Sequence, residues 1–347
     1  MSTLADVARL AQVSPATVSR FLSGRKIRAA EAVQQAIDTL GYSPNAIAQS
    51  LKSGRTGNIG VIVPDISNPY FASVVKGIDV VSRERAYNLL LCNTDDSARR
   101  QDQALEALIG VVDALILTPA IDSDVVPAAL ARDTGPLVLL DREFAERLPC
   151  DTVLVDNVGG ARQAATYLAQ IGHRDLGIIS GPLTSTPGRL RHDGFLQGLR
   201  ESGITVAEEK IYIGDFREMG GYVGMKHLLA EEPPTAVFVA NNLMAMGALR
   251  ACKESGVRIP HDLSFISFDD LELANLLEPA ITTVSRQSTH EGALAMSLLA
   301  QRLEGQSSQP PRRCVLETRL SLRDSCAAPS RGLASGSWVA RSGSTAS

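Results

Sequence analysis

The sequence predicts an α/β protein with a small helical head, a hinge, and a larger body of parallel sheets covered by helices. Its 347 residues exceed what a single hydrophobic core usually supports, which indicates more than one domain. The first 42 residues carry apolar side chains at helical spacing, and a polar, glycine-containing break follows at residues 53–58. From Ile59 onward, short apolar runs alternate with amphipathic helices, a pattern typical of parallel sheets.

The stretch from Thr3 to Arg20 predicts two short helices that pack across a tight turn. Thr3 and Asp6 can cap the first helix, because each satisfies a backbone donor of the other. Ser14 is a suitable N-cap for the second helix, and Pro15 suits its first position, where a missing donor costs nothing. In a helix-turn-helix the second helix enters the major groove of DNA. The head is therefore predicted to bind DNA, with a plain helical hairpin as the alternative.

Candidate DNA contacts follow from position on these helices. The first exposed residues of the second helix and its last arginine are expected to face base edges, and the hydroxyl groups suit phosphate or base contacts. The predicted DNA-binding residues of the head are Thr3, Ser14, Pro15, Ala16, Thr17, Ser19 and Arg20.

The charge distribution supports this interpretation, although the chain as a whole has a net charge of −4. Residues 1–55 hold seven lysines and arginines against three acids, whereas the remainder holds 27 against 35. A basic head on an acidic body is expected when only the head contacts phosphates.

A third helix is predicted over residues 29–41, where apolar side chains recur at helical spacing and Gly41 provides the stop. A second Ser-Pro start at Ser43 begins a short alanine-rich helix that reaches Lys52 and is too short to be stable alone. The composition of the polar segment at residues 53–58 then predicts a linker. Together these features predict a hinge that becomes ordered only when a partner holds it.

Several function classes receive no support from the sequence. The five cysteines are odd in number and lack metal-binding spacing, which indicates reduced thiols of a cytoplasmic protein. We find no signal peptide and no membrane-spanning apolar run, so a soluble protein is expected. The sequence has no nucleophile elbow, Walker loop or zinc-protease motif, and its five histidines lack metal spacing. We therefore expect no enzyme, no metal and no cofactor.

The body is predicted to contain nine strands and amphipathic helices between them. The predicted strands are Ile59–Pro64, Leu89–Asn93, Ala114–Leu117, Leu137–Leu140, Val153–Asp156, Leu176–Ser180, Ile211–Ile213, Val237–Ala240 and Leu263–Phe268. The helices include Tyr70–Arg85, Gly159–Ile171, Gly194–Ser202, Gly220–Leu229 and Met244–Ser255.

Two linked motifs resemble the lactose-repressor/galactose-repressor (LacI/GalR) family of bacterial transcription regulators. They are the run DVARLAQVSPATVSRFLSG and the later run LGYSPNAIAQSLKSGRTGNIGVIVPDISNPYF. The resemblance implies a homodimeric regulator, most often a repressor, that binds double-stranded operator DNA and whose affinity a small sugar-like effector controls. It also implies that paired hinge helices enter the minor groove, where inserted side chains kink the duplex. Leu51 matches the inserted leucine, with a core leucine as the alternative, and the further hinge candidates are Asn45, Ala48 and Lys52.

The resemblance also divides the chain. It implies a head at residues 1–42, a hinge and linker at 43–58, and a periplasmic-binding-protein-like body of two lobes. We place the first lobe at residues 59–157, with 282–290 returning to it, and the second at 158–322. The Ser/Gly-rich tail at 323–347 is expected to be disordered.

Candidate effector residues come just after predicted strands, where open parallel sheets bind their ligands. A polar residue just after a strand, taken alone, is more often a loop or helix-cap residue than a ligand-binding one. Those that match ligand positions of the family are Asn68, Tyr70, Phe71, Arg142, Arg191, Phe216, Asn241, Asp269 and Arg286. Phe216 would stack on an apolar ring face, while Asn241 and Asp269 would accept hydroxyl donors. The loop at 180–191 is most similar to that of ribose-type repressors.

The chain departs from the family pattern at several positions. The segments at 24–32 and 108–112 are shorter than usual, and Asn242 replaces an aspartate. Arg286 stands where a glutamine is common, so that three arginines could face the cleft and bind an anion. This suggests a sugar acid or sugar phosphate rather than a neutral sugar.

The alternative function is a soluble sugar-binding receptor without DNA binding, since such receptors share this body. The basic head counts against it. The tail lacks a leucine heptad, which favours a dimer over a tetramer.

Overall fold

A computed structural model describes residues 2–22, 24–42, 55–120, 126–132, 135–271, 276–306 and 309–329. The chain forms two compact units, Met1–Gly57 and Asn58–Ser347. The hinge candidates Asn45, Ala48, Leu51 and Lys52 lie outside the described residues.

The head contains three helices, which we label α1 (Leu4–Leu10), α2 (Pro15–Leu22) and α3 (Ala30–Leu40). Val7, Val18 and Val33, one from each helix, are fully buried in a shared core. Both predicted helix starts are confirmed. The Thr3 hydroxyl accepts from the backbone of Asp6 while the Asp6 carboxylate accepts from that of Thr3, and α2 begins at the proline. The short link before α3 still permits a closed core.

The body contains two six-stranded sheets, each covered by helices on both faces. The first sheet has the order β11-β5-β4-β3-β1-β2 and the second β12-β10-β9-β8-β6-β7, and every pairing is parallel except that of β10 with β12. The strands are β1 Asn58–Val63, β2 Asn88–Asn93, β3 Ala114–Leu117, β4 Leu137–Leu140, β5 Asp151–Val155, β6 Leu176–Ser180, β7 Ile211–Ile213, β8 Ala236–Val239, β9 Ser264–Phe268, β10 Thr282–Ser285, β11 Arg313–Leu316 and β12 Arg319–Ser321. The helices are α4 Pro69–Glu84, α5 Ala98–Leu108, α6 Asn157–Gln170, α7 Thr186–Glu201, α8 Glu218–Leu228, α9 Asn242–Glu254 and α10 Ser288–Gln301.

The fold class is confirmed, and all nine predicted strands are present within two residues of their expected ends. The three strands β10, β11 and β12 were not predicted, because they are short and only partly apolar. Helix α7 begins at Thr186 rather than at Gly194, since Ser185 caps it and Pro187 suits its first turn.

The crossings between the lobes differ from the prediction. Residues 282–285 do not return to the first lobe, because β10 pairs with β9 in the second sheet. The return begins after them: α10 packs on α4, and β11 pairs with β5. This helix contact is very close, since a Cβ on Gly77 would lie 1.9 Å from the Thr289 carbonyl oxygen. The chain therefore passes between the lobes three times, which places three connections beside each other.

The predicted disorder of the tail is wrong for residues 323–329. Ser325 is fully buried and its backbone carbonyl accepts from Phe265, the residue near the middle of β9. The imidazole of His173 lies 3.0 Å from the Ala327 carbonyl oxygen. These contacts fix the segment against the second lobe, and residues 330–347 lie outside the described part of the chain.

A buried ion cluster holds the returning segment in the first lobe. The Asp151 carboxylate, with no exposed side-chain surface, contacts Arg302 at 2.6 Å and Arg312 at 3.0 Å. It also accepts from the backbone of Arg312 at 2.7 Å. Burial opposes ionisation of this carboxyl, but the hydrogen bonds from both arginines outweigh it and lower the pKa of Asp151 to about 2. The cluster ties β5 to the segment between α10 and β11, ahead of the third crossing.

Replacing Asp151 by asparagine should therefore lower the free energy of unfolding by about 3 kcal/mol near neutral pH, because two arginines lose their buried partner. The contribution is complete above the ordinary carboxyl pKa of 3.8 and is lost as pH falls towards 2. Urea titration of both proteins measures the difference. The matched control is Glu106→Gln, which breaks an exposed pair with Arg132 and should cost less than about 1 kcal/mol. Equal costs for the two substitutions would contradict the stabilising role of the Asp151 cluster.

Candidate functional site

The head presents the predicted DNA-reading side chains on its surface. Pro15, Ala16 and Arg20 on α2 are exposed, whereas Val18 on the same helix is fully buried. The Ser14 hydroxyl accepts from the backbone of Thr17 at 3.2 Å, so it caps the helix as well as facing outward. Ser19 is half-buried and Thr3 is exposed. The exposed face of α2 is therefore available for contact with a groove.

The body holds a cavity of about 260 Å³ between its two lobes. All nine predicted effector residues line it: Asn68, Tyr70, Phe71, Arg142, Arg191, Phe216, Asn241, Asp269 and Arg286. Most of them follow a strand directly or within a few residues, so that the carboxyl ends of strands from both sheets converge on one space. Residues far apart in the sequence thus form a single site.

Backbone strain is concentrated around this cavity. Seven non-glycine residues of the described chain have positive φ angles, a region that side chains with a Cβ rarely adopt. Five of the seven line the cavity: Asp95, Asp96, Asp141, Phe216 and Asp269. Each follows a strand end, where the left-handed turn aims the side chain into the cleft. Strain held by a surrounding fold is characteristic of binding and catalytic sites.

The second lobe supplies a buried arginine that is already satisfied by the protein. Arg191 on α7 donates to the side chain of Asn157 at 2.8 Å and to the Ala240 carbonyl oxygen at 2.7 Å. Its guanidinium also contacts the Asp269 carboxylate at 3.2 Å and lies 3.7 Å from the centre of the Phe268 ring. It fixes the carboxylate that follows β9.

Arg142 plays the corresponding role in the first lobe. Its guanidinium pairs with the Asp96 carboxylate and donates to the carbonyl oxygens of Pro119 and Ala120, at 3.0 and 2.7 Å. Only 4% of its side-chain surface is exposed. These bonds connect the ends of β2, β3 and β4, of which β3 and β4 are neighbours in the sheet.

Arg286 lies at the boundary of the two lobes and contacts carboxylates from both. Its guanidinium is 2.7 Å from Asp141 in the first lobe and 3.5 Å from Asp269 in the second. It is also 3.2 Å from Glu291 at the start of α10 and stacks on the ring of Tyr70, at 3.5 Å. The Tyr70 hydroxyl donates to Glu291 at 2.9 Å. Arg286 is therefore enclosed by acidic groups of the protein.

Two asparagines link the lobes directly. The side-chain carbonyl of Asn68 caps α4 by accepting from the backbone of Tyr70, and it also accepts from the Asn242 amide at 2.9 Å. An aspartate at position 242 could not donate this bond, so the asparagine at that position has a structural explanation. Asn241 caps α9 and donates to the Phe216 carbonyl oxygen at 3.0 Å. This hydrogen bond holds the backbone of Phe216 in place.

The charge balance of the cavity removes the reason for expecting an anionic effector. Seven acids line it (Asp65, Asp95, Asp96, Asp141, Asp215, Glu218 and Asp269) against four arginines (Arg142, Arg191, Arg217 and Arg286). The three arginines on which that expectation rested are each paired with carboxylates of the protein itself. An anion would meet mainly negative charge.

Sequence reasoning missed several members of this site. Asp95 and Asp96 follow β2. The search for polar residues just after predicted strands, which found the other residues, could have found them. Asn157 and Glu291 stand at the first turns of helices, where an amide or a carboxylate usually serves the helix itself. Nothing in the sequence distinguishes such residues from ordinary helix starts.

Burial shifts the ionisation of the central groups. It raises the pKa of Asp269 to about 7, with the attraction of Arg191 opposing this and the nearby Asp141 and Glu291 adding to it. Burial also raises the pKa of Glu291 and lowers that of Arg286 to about 10. Asp269 Oδ1 and Arg286 Nη1 have no hydrogen-bond partner among the described residues, which is uncommon for buried polar atoms. A ligand in the cavity could satisfy them.

Metal sites and membrane spans are both missing from the described ranges. No group of three His, Cys, Asp or Glu side chains there is arranged to hold a metal ion. No helix in this part of the chain is both long and apolar enough to cross a membrane.

A helix-turn-helix head joined to a two-lobed body with a cavity at its strand ends defines a DNA-binding regulator that responds to a small molecule. The family model for "Bacterial regulatory proteins, lacI family" matches residues 3–45, and that for a "Periplasmic binding protein-like domain" matches residues 165–326. The chain belongs to the LacI family of bacterial regulators and is a DNA-binding transcriptional repressor.

Named relatives are similar over almost the whole chain. The HTH-type transcriptional repressor PurR of Pasteurella multocida is 36% identical over 91% of this chain and 96% of its own length. The ribose operon repressor of Haemophilus influenzae is 36% identical over 94% of this chain and 98% of its own length. Among solved structures, the lac repressor dimer bound to operator and the anti-inducer ONPF has a TM-score of 0.82 at 27% identity, covering 94% and 99% of the two chains.

The shifted carboxyls make stability depend on pH near neutrality. Because Asp269 binds its proton more tightly when folded than when unfolded, its contribution to stability is present below the ordinary pKa of 3.8 and is lost as pH rises through about 7. Wild-type protein should therefore melt at a lower temperature at pH 8 than at pH 5, and Asp269→Asn should reduce that difference. Asp262→Asn, at a surface carboxyl whose pKa is lowered, should leave the difference unchanged. If the difference in melting temperature between pH 5 and pH 8 were the same in Asp269→Asn as in the wild type, the raised pKa of Asp269 would be refuted.

Proposed function

We propose that each head binds one half of a pseudo-palindromic operator, with α2 in the major groove and Pro15, Ala16 and Arg20 at base edges. The support is the exposed face of α2 above a buried Val18, together with the family match over residues 3–45. The hinge residues Asn45, Ala48, Leu51 and Lys52 would pair with those of a second subunit in the minor groove, with Leu51 as the wedge. A receptor without DNA binding finds no support among the relatives.

The effector that the cleft suits best is an uncharged, polyhydroxylated molecule about as large as a monosaccharide. The observation that carries this proposal is the excess of carboxylates around a cavity whose buried arginines are already paired. Asp141, Asp269 and Asn241 would accept hydroxyl protons, while Phe216 would cover an apolar ring face. A cavity of about 260 Å³ has room for one sugar ring.

Effector binding would change the angle between the lobes and thereby the spacing of the hinges in a homodimer, which couples the two ligands. The relevant contacts between lobes are those of Arg286 and of the Asn68–Asn242 pair.

We further propose that the protein is cytoplasmic and that the cleft binds its effector without catalysing a reaction. The lac repressor and the ribose operon repressor, both similar along most of the chain, are regulators.

Arg20→Ala should weaken operator binding by about 1 to 3 kcal/mol and relax the preference at one base pair of each half-site, if this arginine binds a guanine edge. A selection from randomised duplexes, followed by titration of the recovered sites, measures both effects. Arg258→Ala, at an exposed arginine of the body, is the matched control and should behave as wild type. A lower affinity with an unchanged sequence preference would assign Arg20 to a phosphate instead.

A thermal-shift screen should separate effector classes. Neutral pentoses and hexoses should include a compound that raises the melting temperature, whereas the corresponding sugar acids and sugar phosphates should not, because they add negative charge to an acidic cleft. Phe216→Ala should reduce the shift by removing the stacking surface. A sugar phosphate that stabilised the protein more than its neutral parent sugar would contradict the proposed class.

A further inference from the structure

The buried arginine that follows β10 has an unusual position among the side chains of the cleft. Arg286 lies directly after Ser285, where the chain leaves the second sheet to return to the first lobe. Its contacts reach Asp141, at the end of β4, and Asp269, at the end of β9. One guanidinium thus joins the two effector-facing carboxylates of opposite lobes.

The surroundings of this guanidinium are those of an internal counterion. Its side chain is 2% exposed, and one face is covered by the ring of Tyr70. A third carboxylate, that of the fully buried Glu291, lies 3.2 Å away. Three carboxylates of the protein thus lie within 3.5 Å of this guanidinium, which leaves Nη1 as a donor without a hydrogen-bond partner among the described residues.

The three carboxylates depend on this cation. Asp269 has a second basic partner in Arg191, and Arg142 Nε lies 3.9 Å from the Asp141 carboxylate. For Glu291, Arg286 is the one basic partner among the ion pairs of the described residues. Without the guanidinium, three buried acids would face a common point, and like charges at such distances cannot all remain ionised.

We infer that Arg286 is a positioning residue for effector binding, which holds the carboxyl groups of Asp141 and Asp269 at a fixed separation across the cleft, and that Glu291 balances its charge. The inference rests on the proposed effector role of the cleft and deepens it. The Arg286–Glu291 pair then sets the net charge that the cleft presents: removing the arginine makes it more acidic, and removing the glutamate makes it more basic.

The first test uses the full-length protein without any ligand. Arg286→Gln should lower the melting temperature by about 10 °C at pH 8, because three buried carboxylates lose their shared cation. The loss should be clearly smaller near pH 5.5, because burial raises the pKa of Asp269 and Glu291 and both are more protonated there than at pH 8. Asp270 and His290 line the neighbouring opening and are present in both wild type and variant. The control Arg258→Gln should change the melting temperature by less than about 3 °C at either pH.

The double variant Arg286→Gln/Glu291→Gln separates the counterion role from simple packing. It should recover part of the stability that Arg286→Gln loses at pH 8, because one of the stranded carboxylates is gone. Additive losses in the double variant, or a loss that is equal at both pH values, would overturn the inference. A gain of stability in the double variant over Arg286→Gln at pH 8 but not at pH 5.5 is the result expected.

The second test compares the binding of neutral and anionic ligands to detect a change in the charge of the cleft. D-ribose, ribose 5-phosphate and ribonate serve as probes in thermal shift with wild type and Glu291→Gln. The variant should respond to the two anions more strongly, relative to the neutral sugar, than the wild type does. An unchanged or reversed preference would overturn the inference. If no probe shifts either protein, the proposed effector class fails, while the pH experiment still decides the counterion role.

Discussion

The attraction between guanidinium and carboxylate groups in a nearly water-free space determines the arrangement of this cleft. Arg142, Arg191 and Arg286 each hold at least one acidic side chain that follows a strand, so that the loops at the strand ends are fixed by charge as well as by backbone. Buried ions are costly unless they are paired and hydrogen-bonded. The pairing therefore fixes three of the five strained backbone positions around the cavity, Asp96, Asp141 and Asp269.

Interactions of this kind form two separate sets in the body, one within the first lobe and one between the lobes. Asp151 and its two arginines secure the returning segment within the first lobe, where no ligand is involved. The contacts of Arg286 and the Asn68–Asn242 pair cross from one lobe to the other, where a ligand would intervene. A molecule that enters the cleft competes with or supplements only the second set.

Sequence patterns predicted the strands that are built on a continuous apolar run, including the partly exposed edge strands β2 and β7. The runs that became β6 and β8 are fully buried, and both were located within a residue of their ends. The crossings were placed incorrectly because β10, β11 and β12 are three or four residues long, with polar side chains in each. Their positions depend on pairing with distant strands, and periodicity within a short segment carries no information about such partners.

The site residues that follow strand ends could be predicted from the sequence. Nine residues placed by this rule and by the family resemblance line one cavity. The rule does not reveal which charges neutralise each other, because Arg286 and Glu291 are five residues apart on a crossing segment whose path was unknown. The expectation of an anionic effector lost its support for that reason, because a count of arginines in a sequence leaves out the carboxylates that fold against them.

Regulation by this protein requires that the cleft between the lobes and the DNA-binding head be thermodynamically coupled. The most direct measurement is a linkage cycle: operator affinity with and without a small molecule that binds the cleft, and affinity for that molecule with and without operator. We predict that the two ratios are equal and differ from one, by about 5-fold or more. A molecule shown to bind through Phe216 and Asp269 that left operator affinity unchanged would contradict this coupling.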